Sequence, residues 1–281
     1  MDGERLPSFD LVVATVDRVS ELERLLASLE AQTYRDLRVL LVDQNEDDRL
    51  ESILRQERRF DLVRLRSERG LSRARNAALR EIRADLVAFP DDDCLFAPEL
   101  FERVARRFAD DPALDGLTGR AVDEAGCSSR SWAQDPRTLT RENLWNRAIS
   151  FTIFLRAALV ARVGDFDVQL GLGAPTPWAS GEEIDYLVRA LDAGARIEYD
   201  PARVVTHPDT RVSPTTLRSL GNRDGASVGY ILRKHEYPKR MVGRMFVRPI
   251  GGAVVAIARR DRGQARFHLA TLRGRLLGYR S

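Results

Sequence analysis

The sequence predicts an α/β protein in which helices flank a mostly parallel sheet, followed by a basic helical extension at the C-terminus. Apolar runs of strand length alternate with amphipathic segments in units of about 25 residues, as in βαβ crossovers. Three of the runs end in polar clusters, at residues 15–17, 43–45 and 91–93. Because the carboxyl ends of parallel strands share one edge of a sheet, we expect these clusters to converge on one binding site.

The first part of the chain supplies the predicted parallel sheet. β-Branched and other apolar residues form four short runs without a helical period, at residues 9–16, 37–42, 62–65 and 86–89. Between these strands, leucines at helical spacing or helix-starting segments predict helices over 22–29, 50–58 and 70–83. No GxGxxG motif follows the first strand and no P-loop motif is present, which argues against a Rossmann dinucleotide site.

The second part contains further elements and two long loops. We expect strands over 113–122, 151–155, 195–199 and 204–207, with a turn at Asp200-Pro201. We expect helices over 99–108, 156–163, 182–191, 217–234 and 241–260, with breaks at Pro238 and Pro249. The polar stretch 123–146 and the Gly/Pro-rich stretch 171–181 are predicted loops, of the length that usually carries function.

Composition limits the class of protein. The chain has 281 residues, enough for one large domain or for one domain plus an appendage, and 43% of them are apolar. Its two cysteines, Cys94 and Cys127, are too few for a disulfide framework or a zinc site, which favours a reducing compartment. The N-terminus has no signal-peptide core, and the apolar run 250–258 is too short to span a bilayer.

Charge divides the chain into two predicted parts. Residues 211–281 contain sixteen Lys and Arg against three acids, whereas residues 1–210 contain 29 bases against 39 acids. We therefore predict a catalytic domain over 1–210 and a basic helical extension over 211–281. The extension either meets an anionic membrane surface or packs on the body with its arginines in solvent. No nucleic-acid recognition motif accompanies the charge, so we expect no nucleic-acid partner.

The three adjacent carboxylates Asp91, Asp92 and Asp93 are the strongest chemical signal. They repel one another, and a hard divalent cation such as Mg²⁺ or Mn²⁺ suits carboxylate oxygens. The alternative is that Asp93 only caps the following helix.

The motifs and their order resemble the family 2 glycosyltransferases, which have a GT-A fold, from Phe9 to His207. The resemblance implies that the first strand end, with Thr15, Asp17 and Arg18, binds the donor nucleotide, although Asp17 could also cap a helix. It implies that Asp43 contacts the nucleobase, but the usual Asp-Asp-Gly-Ser segment is Asp-Gln-Asn-Glu here.

Two further segments carry the resemblance to the donor and metal sites. Residues 70–76 are similar to the family's Gly-x-x-x-Ala-Arg-Asn segment, which implies that Gly70 and Arg75 lie at the donor site, unless Arg75 is only solvated. The acidic triplet is similar to the DxD motif. Asp91 and Asp93 would then bind Mn²⁺ or Mg²⁺, Asp91 and Asp92 would face the donor, and His207 would complete the metal shell. A histidine in that place is otherwise a structural donor.

The catalytic base is implied by residues 181–185, which are similar to a Gly-Glu-Asp-x-Asp segment. Glu183 stands where the family commonly has Asp, so we expect Glu183 to be the base, with Asp185 as the alternative and Glu182 as a supporting acid. The alternative is that these acids only stabilise the start of the helix, because negative charge there is favoured by the helix dipole. Trp178 stacks on an acceptor sugar or anchors its loop.

The function implied by the resemblance is metal-dependent, inverting transfer of a sugar from a nucleotide-diphosphate sugar to a hydroxyl of a glycan or lipid-linked glycan. UDP, dTDP and GDP are the expected nucleotides. The expected location is the cytoplasm. Peripheral attachment to the inner face of the membrane is a second option. Two alternatives stay open: a non-catalytic sugar-nucleotide or glycan-binding module on the same fold, and a nucleotidyltransferase. The latter needs a Gly-rich loop with a Lys after the first strand, and none is visible.

Overall fold

A computed structural model describes residues 5–128, 131–208 and 214–281. The chain divides into two compact units. The first comprises Met1–Arg69, Arg73–Phe166 and Tyr186–Asp209, as far as these are described. The second comprises Gly70–Ser72, Asp167–Asp185 and Thr210–Ser281, within the same limits. The second unit thus includes two pieces from before residue 210, and a domain boundary at that residue stays a prediction.

The first unit is built on one mixed sheet. Its strands, in chain order, are β1 (Phe9–Thr15), β2 (Leu37–Asp43), β3 (Asp61–Arg66), β4 (Leu86–Ala88), β5 (Gly116–Val122), β6 (Arg137–Thr138), β7 (Phe154–Arg156) and β8 (Ile197–Thr206). The spatial order is β3-β2-β1-β4-β7-β5-β8-β6. Neighbours among β3, β2, β1 and β4 are parallel, as are β5 and β8, whereas β7 and β6 run antiparallel to theirs. The predicted mostly parallel sheet is confirmed.

Helices cover the sheet of the first unit. They are α1 (Ser20–Glu30), α2 (Glu51–Leu54), α3 (Leu71–Leu79), α4 (Leu100–Ala109), α5 (Ala157–Val163) and α6 (Glu182–Asp192), of which α3 and α6 begin in the second unit. Two short 3₁₀ helices, Leu144–Asn146 and Ser150–Thr152, lie between β6 and β7. Leucines 22, 25, 26 and 29 of α1 are buried in the same apolar core as alternate residues of β1 and β2. Burial of these periodic apolar positions is the main force that holds helices on the sheet.

Several predicted boundaries were wrong. The helix expected over 50–58 is a single turn, α2, and α3 ends at Leu79 rather than near residue 83. The predicted turn at Asp200-Pro201 lies inside one continuous strand, β8. The register against β5 jumps there from Thr118 with Tyr199 to Arg120 with Val204. The turn residues therefore form an irregularity of the strand, where the Arg120 Nε–H donates to the Pro201 carbonyl at 2.7 Å.

The second unit contains three long helices, α7 (Pro214–Lys234), α8 (Lys239–Ala258) and α9 (Arg262–Arg280). Pro238 lies immediately before α8, where a break was predicted. Pro249 lies inside α8, so the break expected there was wrong. A proline removes one backbone donor from a helix, and packing can compensate for that loss. Helix α9 was not predicted, because its buried residues are alanines and glycines rather than an apolar stripe. Helix α8 is long and apolar enough to cross a membrane by length and composition alone, with 28% of its most apolar window buried.

Glycines allow α7 and α9 to pack at backbone distance. A Cβ added at Gly225 would lie 2.4 Å from the Thr271 carbonyl oxygen, and one at Gly278 would lie 1.9 Å from that of Ala226. Real Cβ atoms do not approach so closely, so these positions require glycine. The glycines recur every four residues: Gly221, Gly225 and Gly229 on α7, and Gly274 and Gly278 on α9.

Candidate active site

The ends of β1, β2 and β8, together with the segment after β4, bring predicted site residues of the first unit together. Asp91 forms a parallel bridge with Ala14 near the end of β1, and His207 follows the last residue of β8. Three groups that could bind a metal ion, on Asp91, Asp93 and His207, lie within 4.8 Å of one another. The convergence of strand ends expected from the sequence is present, since Thr15 donates to Asp92 at 2.7 Å and the Asp17 N–H donates to Asn45 Oδ1 at 2.7 Å.

The donor set of this cluster fits a divalent cation. Carboxylate oxygens suit Mg²⁺ and Mn²⁺, and Mn²⁺ also accepts imidazole. The Nδ1 of His207 lies 3.0 Å from the Pro208 carbonyl oxygen, which can only accept, so Nδ1 carries a proton. This arrangement leaves the Nε2 of His207, 3.1 Å from Asp93 Oδ1, as the nitrogen that could bind a metal. Phe151 stacks on the imidazole at 4.8 Å and fixes the ring plane.

The charges within the cluster set its protonation. Burial disfavours protonated His207, but its hydrogen bond to Asp93 and the charges of Asp93 and Asp91 outweigh burial and raise its pKa. Burial likewise works against ionised Asp93, yet His207 and Arg18 lower its pKa. Asp92 differs, because burial outweighs its hydrogen bonds and raises its pKa. A cation bound here would thus compete with a proton on His207.

Two arginines also face the acidic triplet. The Arg18 guanidinium donates to Asp92 Oδ1 at 2.7 Å and to Asp93 Oδ2 at 2.5 Å. Arg75 is buried, contacts Asp91 Oδ1 at 3.3 Å and lies near the faces of Phe89 and Phe166. The repulsion expected among the three carboxylates is therefore reduced by the protein's own cations. The alternative role of Asp93 as a helix cap was wrong, because Glu99 precedes α4 and no side chain caps it.

Two residues that were predicted to lie at the donor site, Thr15 and Asp17, have hydrogen-bond partners at the end of β1. The Thr15 hydroxyl is buried and donates to Asp92 Oδ2 at 2.7 Å, so it helps to orient the triplet. Asp17 has a φ of 59° and accepts from Arg49 and Arg69 at 3.1 and 2.9 Å. It does not cap α1, whose N-cap residue is Val19.

Asp43 is fully buried, and the protein supplies donors to both of its oxygens. Oδ1 accepts from the backbone and side-chain nitrogens of Asn45 at 2.9 and 2.8 Å. Oδ2 accepts from Arg64 at 2.6 and 3.0 Å and lies 3.3 Å from Arg66. A contact with a nucleobase would have to replace one of these donors, because a carboxylate has about four acceptor positions.

The remaining predicted residues belong to the second unit. Gly70 has a φ of 138°, a conformation that favours glycine, and the next residue, Leu71, donates its N–H to the Leu172 carbonyl at 2.8 Å. Trp178 is half-buried and stacks on Tyr230, with ring centroids 5.0 Å apart and planes 9° apart. One face of the indole is therefore occupied by Tyr230, in agreement with an anchoring role, and a sugar could stack only on the other face.

The acids that open α6 differ in environment. Glu182 is buried and Glu183 is partly exposed. Asp185 is fully buried, and its Oδ1 lies 2.7 Å from Lys234 Nζ and 2.8 Å from His235 Nε2. A buried carboxylate held between two such groups is a poor proton acceptor, which leaves Glu183 as the better candidate for a base.

Sequence reasoning missed several of these partners. Arg64 and Arg66 alternate along β3 and so lie on one face of the sheet, a signal that was readable from the period of two. Ser150, whose hydroxyl lies 3.4 Å from Asp91, carries no motif that would have revealed it. Lys234 and His235 lie about 50 residues after Asp185, and only the folded second unit brings them together.

The mixed sheet, the flanking helices and the metal-type cluster at the strand ends define a glycosyltransferase fold of the GT-A type. Many solved structures share this fold, including the following two. A mannosyltransferase from Pyrobaculum calidifontis in complex with GDP-Man and Mn²⁺ aligns with a TM-score of 0.65 at 16% identity, covering 98% of this chain and 87% of that one. S. aureus TarS 1-349 in complex with UDP-GlcNAc aligns with a TM-score of 0.60 at 16% identity, covering 94% and 90%.

The chain belongs to glycosyl transferase family 2, whose family model matches residues 10–162. An N-acetylglucosaminyltransferase of Mesorhizobium japonicum is 28% identical over 72% of this chain and 51% of its own length. An uncharacterized glycosyltransferase of Haemophilus influenzae is 30% identical over 80% of this chain and 76% of its own length. The chain spans about half the length of the first of these relatives, as it does for several others.

Proposed function

We propose that this chain is a metal-dependent, inverting glycosyltransferase that moves a sugar from a nucleotide-diphosphate sugar to a hydroxyl acceptor. The observation that carries the proposal is the cluster of Asp91, Asp93 and His207 in a chain of this family. Its donor set suits Mn²⁺ or Mg²⁺, and a solved neighbour in fold is described with Mn²⁺. When bound, such a cation is a Lewis acid that neutralises charge on the departing diphosphate.

The donor site is proposed to use eight of the residues described above. They are Thr15, Asp17, Arg18, Asp43, Gly70, Arg75, Asp91 and Asp92. Arg18 and Arg75 supply positive charge suited to a diphosphate, because guanidinium groups form strong charge-assisted hydrogen bonds with phosphate oxygens. Neighbours in fold bind GDP-Man or UDP-GlcNAc, so UDP, dTDP and GDP all remain candidates for the nucleotide of this chain.

The proposed reaction is a single displacement. The acceptor hydroxyl oxygen forms a bond to the anomeric carbon while the bond from that carbon to the diphosphate oxygen breaks. Glu183 takes the hydroxyl proton, and the nucleoside diphosphate leaves, so the configuration at the anomeric carbon inverts. Glu182 supports the base, Trp178 contacts the acceptor through the indole face that Tyr230 does not cover, and Asp185 holds the helix start in place instead of acting as the base.

The acceptor is proposed to be a hydroxyl of a glycan or lipid-linked glycan. We also propose that the chain works in the cytoplasm and that its basic C-terminal part, residues 211–281, meets the inner face of a membrane. The support is the excess of Lys and Arg in that part, because anionic lipids on the cytoplasmic leaflet attract such segments.

The first test is calorimetric binding of UDP, dTDP and GDP, each with and without Mn²⁺, to the native chain and to Asp93→Ala. We expect one nucleotide to bind only with metal and to lose at least about tenfold in affinity in the variant. Asp36→Ala is the matched control, because the Asp36 side chain is half exposed and lies 3.4 Å from the exposed side chain of Arg5. Thermal unfolding shows whether each variant is folded.

Three outcomes separate the candidate functions. Metal-dependent binding together with transfer or slow hydrolysis of the donor sugar supports the glycosyltransferase. Binding of the nucleotide sugar without any turnover supports a non-catalytic module. Release of pyrophosphate from a nucleoside triphosphate supports a nucleotidyltransferase, and no nucleotide binding by folded protein would overturn the donor-site assignment.

A further inference from the structure

The second unit has an apolar helix face that its own fold leaves in solvent. Five large apolar side chains of α8 are 46–63% exposed, and all but Val255 recur at three- and four-residue spacing, which places those four on one side of the helix. We define these four as the docking face: Val247, Ile250, Val254 and Ile257. Other positions of the same helix are buried, and they are Met241, Met245, Pro249, Ala253 and Ala256.

The neighbouring helix also has exposed apolar side chains. Helix α9 packs against α8 and exposes Leu269, Leu276 and Leu277 to between 40% and 54%. Exposed large apolar residues are normal when isolated, but a row of them along one helix is typical of an interaction site. Among the described residues, eight of the ten large hydrophobic side chains that are exposed belong to α8 and α9.

The charge around the docking face has one sign. From Lys239 to the C-terminus there are eleven Lys and Arg side chains and a single acid, Asp261. Arg244 and Arg248 lie on α8 itself and are exposed, as are Arg259 and Arg260 at its end. An apolar face bordered by cations is complementary to a surface that is apolar inside and anionic outside.

We propose that the docking face of α8 inserts into the interfacial region of an anionic lipid bilayer, with the helix lying in the membrane plane. This docking does not depend on the proposed glycosyltransferase function. The inference that follows for the acceptor does rest on that function. The same compact unit carries Glu183 and Trp178, so docking favours a lipid-linked acceptor over a free glycan.

An orientation in the membrane plane suits α8 better than a span across the bilayer. The side of α8 opposite the docking face is already packed, and its partner α9 carries Arg266, Arg273 and Arg275. A span would bring Arg244 and Arg248 into the hydrocarbon, which is costly for a charged side chain. In the membrane plane these arginines reach lipid phosphates while the docking face enters the acyl region.

A second copy of the chain is a poorer occupant of the docking face. Pairing of identical faces across a twofold axis would bring two sets of like charges together. Arg240, Arg244 and Arg248 of each copy would then repel those of the other, whereas anionic headgroups neutralise them.

The test is sedimentation of the full chain with lipid vesicles. We expect at least about tenfold tighter binding to phosphatidylcholine vesicles that contain phosphatidylglycerol than to phosphatidylcholine alone, with loss at high salt. The double variant Val247→Asp/Val254→Asp should bind the mixed vesicles at least about tenfold more weakly. Ser52→Asp/Gln56→Glu is the matched control, because both positions are exposed in the first unit and the charge change is equal.

Other outcomes would overturn the proposal. Equal binding of the double variant and the native chain would mean that the docking face does not enter the bilayer. Protein in cell membranes that resists alkaline carbonate would indicate a span, and lipid-free dimers that the double variant dissociates would assign the docking face to a second copy. Asp93→Ala should still bind vesicles, and the double variant should still bind nucleotide, so failure of the docking and failure of the donor site are distinguishable.

Discussion

At the scale of single residues, the most constrained carboxylate outside the candidate site is Asp10 in β1. It is fully buried and accepts from Arg38 Nε and Nη2 at 2.8 Å each, and from the backbone N–H groups of Arg83 and Ala84 at 2.7 and 3.0 Å. Burial alone would raise its pKa, but these hydrogen bonds and the charge of Arg38 outweigh burial and lower it. Ionised Asp10 therefore stabilises the folded state.

We predict that Asp10→Asn lowers the free energy of unfolding by about 3 kcal/mol at pH 7, because Arg38 loses its buried partner. Since the folded-state pKa lies below the unfolded value of 3.8, this stabilisation is present above pH 3.8 and is lost as the pH falls through the folded value. Urea unfolding of the native chain and of Asp10→Asn at pH 7 and pH 3 measures the gap between their free energies of unfolding. A gap that does not narrow at pH 3 would contradict the assignment.

A second prediction at this scale concerns Lys234, which we treat as a positioning residue for the start of α6. Burial opposes its charge, but Asp167 and Asp185, each 2.7 Å from Nζ, outweigh burial and raise its pKa. Lys234→Met should destabilise the protein by about 1–2 kcal/mol, because Asp185 loses one partner but keeps His235, and solvent screens the partly exposed lysine. It should also lower kcat with little change in the donor KM, because Glu183 lies two residues from Asp185.

The pH profile and two further variants make this second prediction specific. A raised lysine pKa means that the stabilisation is fully present below pH 10.5 and is lost only above it, so the gap should be constant from pH 6 to 9. Lys234→Arg should restore most of kcat, and Lys239→Met, at an exposed position, is the control. Unfolding in urea and steady-state kinetics provide the two measurements, and an unchanged kcat would remove the positioning role.

At the scale of elements, the contact of α7 with α9 depends on glycine. Gly278→Ala should destabilise the protein by about 1–3 kcal/mol, because the new Cβ would overlap the Ala226 carbonyl and force the helices apart. Gly243→Ala on α8 is the matched control, since nothing lies within 4 Å of its Cβ position. That control should be neutral or stabilising by up to about 1 kcal/mol, because alanine is the better helix former. Thermal unfolding compares them, and equal effects would contradict backbone-distance packing.

The elements also show what the sequence could and could not predict. The strands β1, β2 and β4 were readable because both faces are buried and their residues are almost all apolar. Helix α9 was not readable, because its contact with α7 uses glycines and small residues rather than an apolar stripe. Pro249 was misread as a break, since a local rule cannot register that α8 is held by its packed side.

The candidate site likewise contains residues that the sequence could predict and residues that it could not. The place of Asp91 and Asp93 at an edge of the sheet was predictable because strand ends of a parallel sheet meet there, whereas the place of His207 beside them was implied by the family resemblance. The saturation of Asp43 by Asn45, Arg64 and Arg66 and the pairing of Asp185 with Lys234 were not, because such partners depend on tertiary contacts that have no local pattern.

At the scale of the whole molecule, the proposed donor-metal cluster belongs to the first unit and the proposed base to the second. Binding and chemistry should therefore be separable. Glu183→Gln should bind nucleotide and Mn²⁺ with native affinity and lower kcat by about 10²–10⁴, because only the proton acceptor is removed. Asp93→Ala should lose both nucleotide affinity and transfer activity, because the metal-bound donor cannot be held.

Calorimetry and steady-state transfer to a soluble acceptor on the same preparations would test this separation. Glu236→Gln is the matched control, since Glu236 is an exposed glutamate of the second unit. A Glu183→Gln variant that loses nucleotide affinity would place Glu183 among the donor ligands. One that keeps full kcat would exclude it as the base, and the best remaining carboxylate would be Glu182. Asp185 would stay the weaker candidate, because its buried Oδ1 lies within 2.8 Å of both Lys234 Nζ and His235 Nε2.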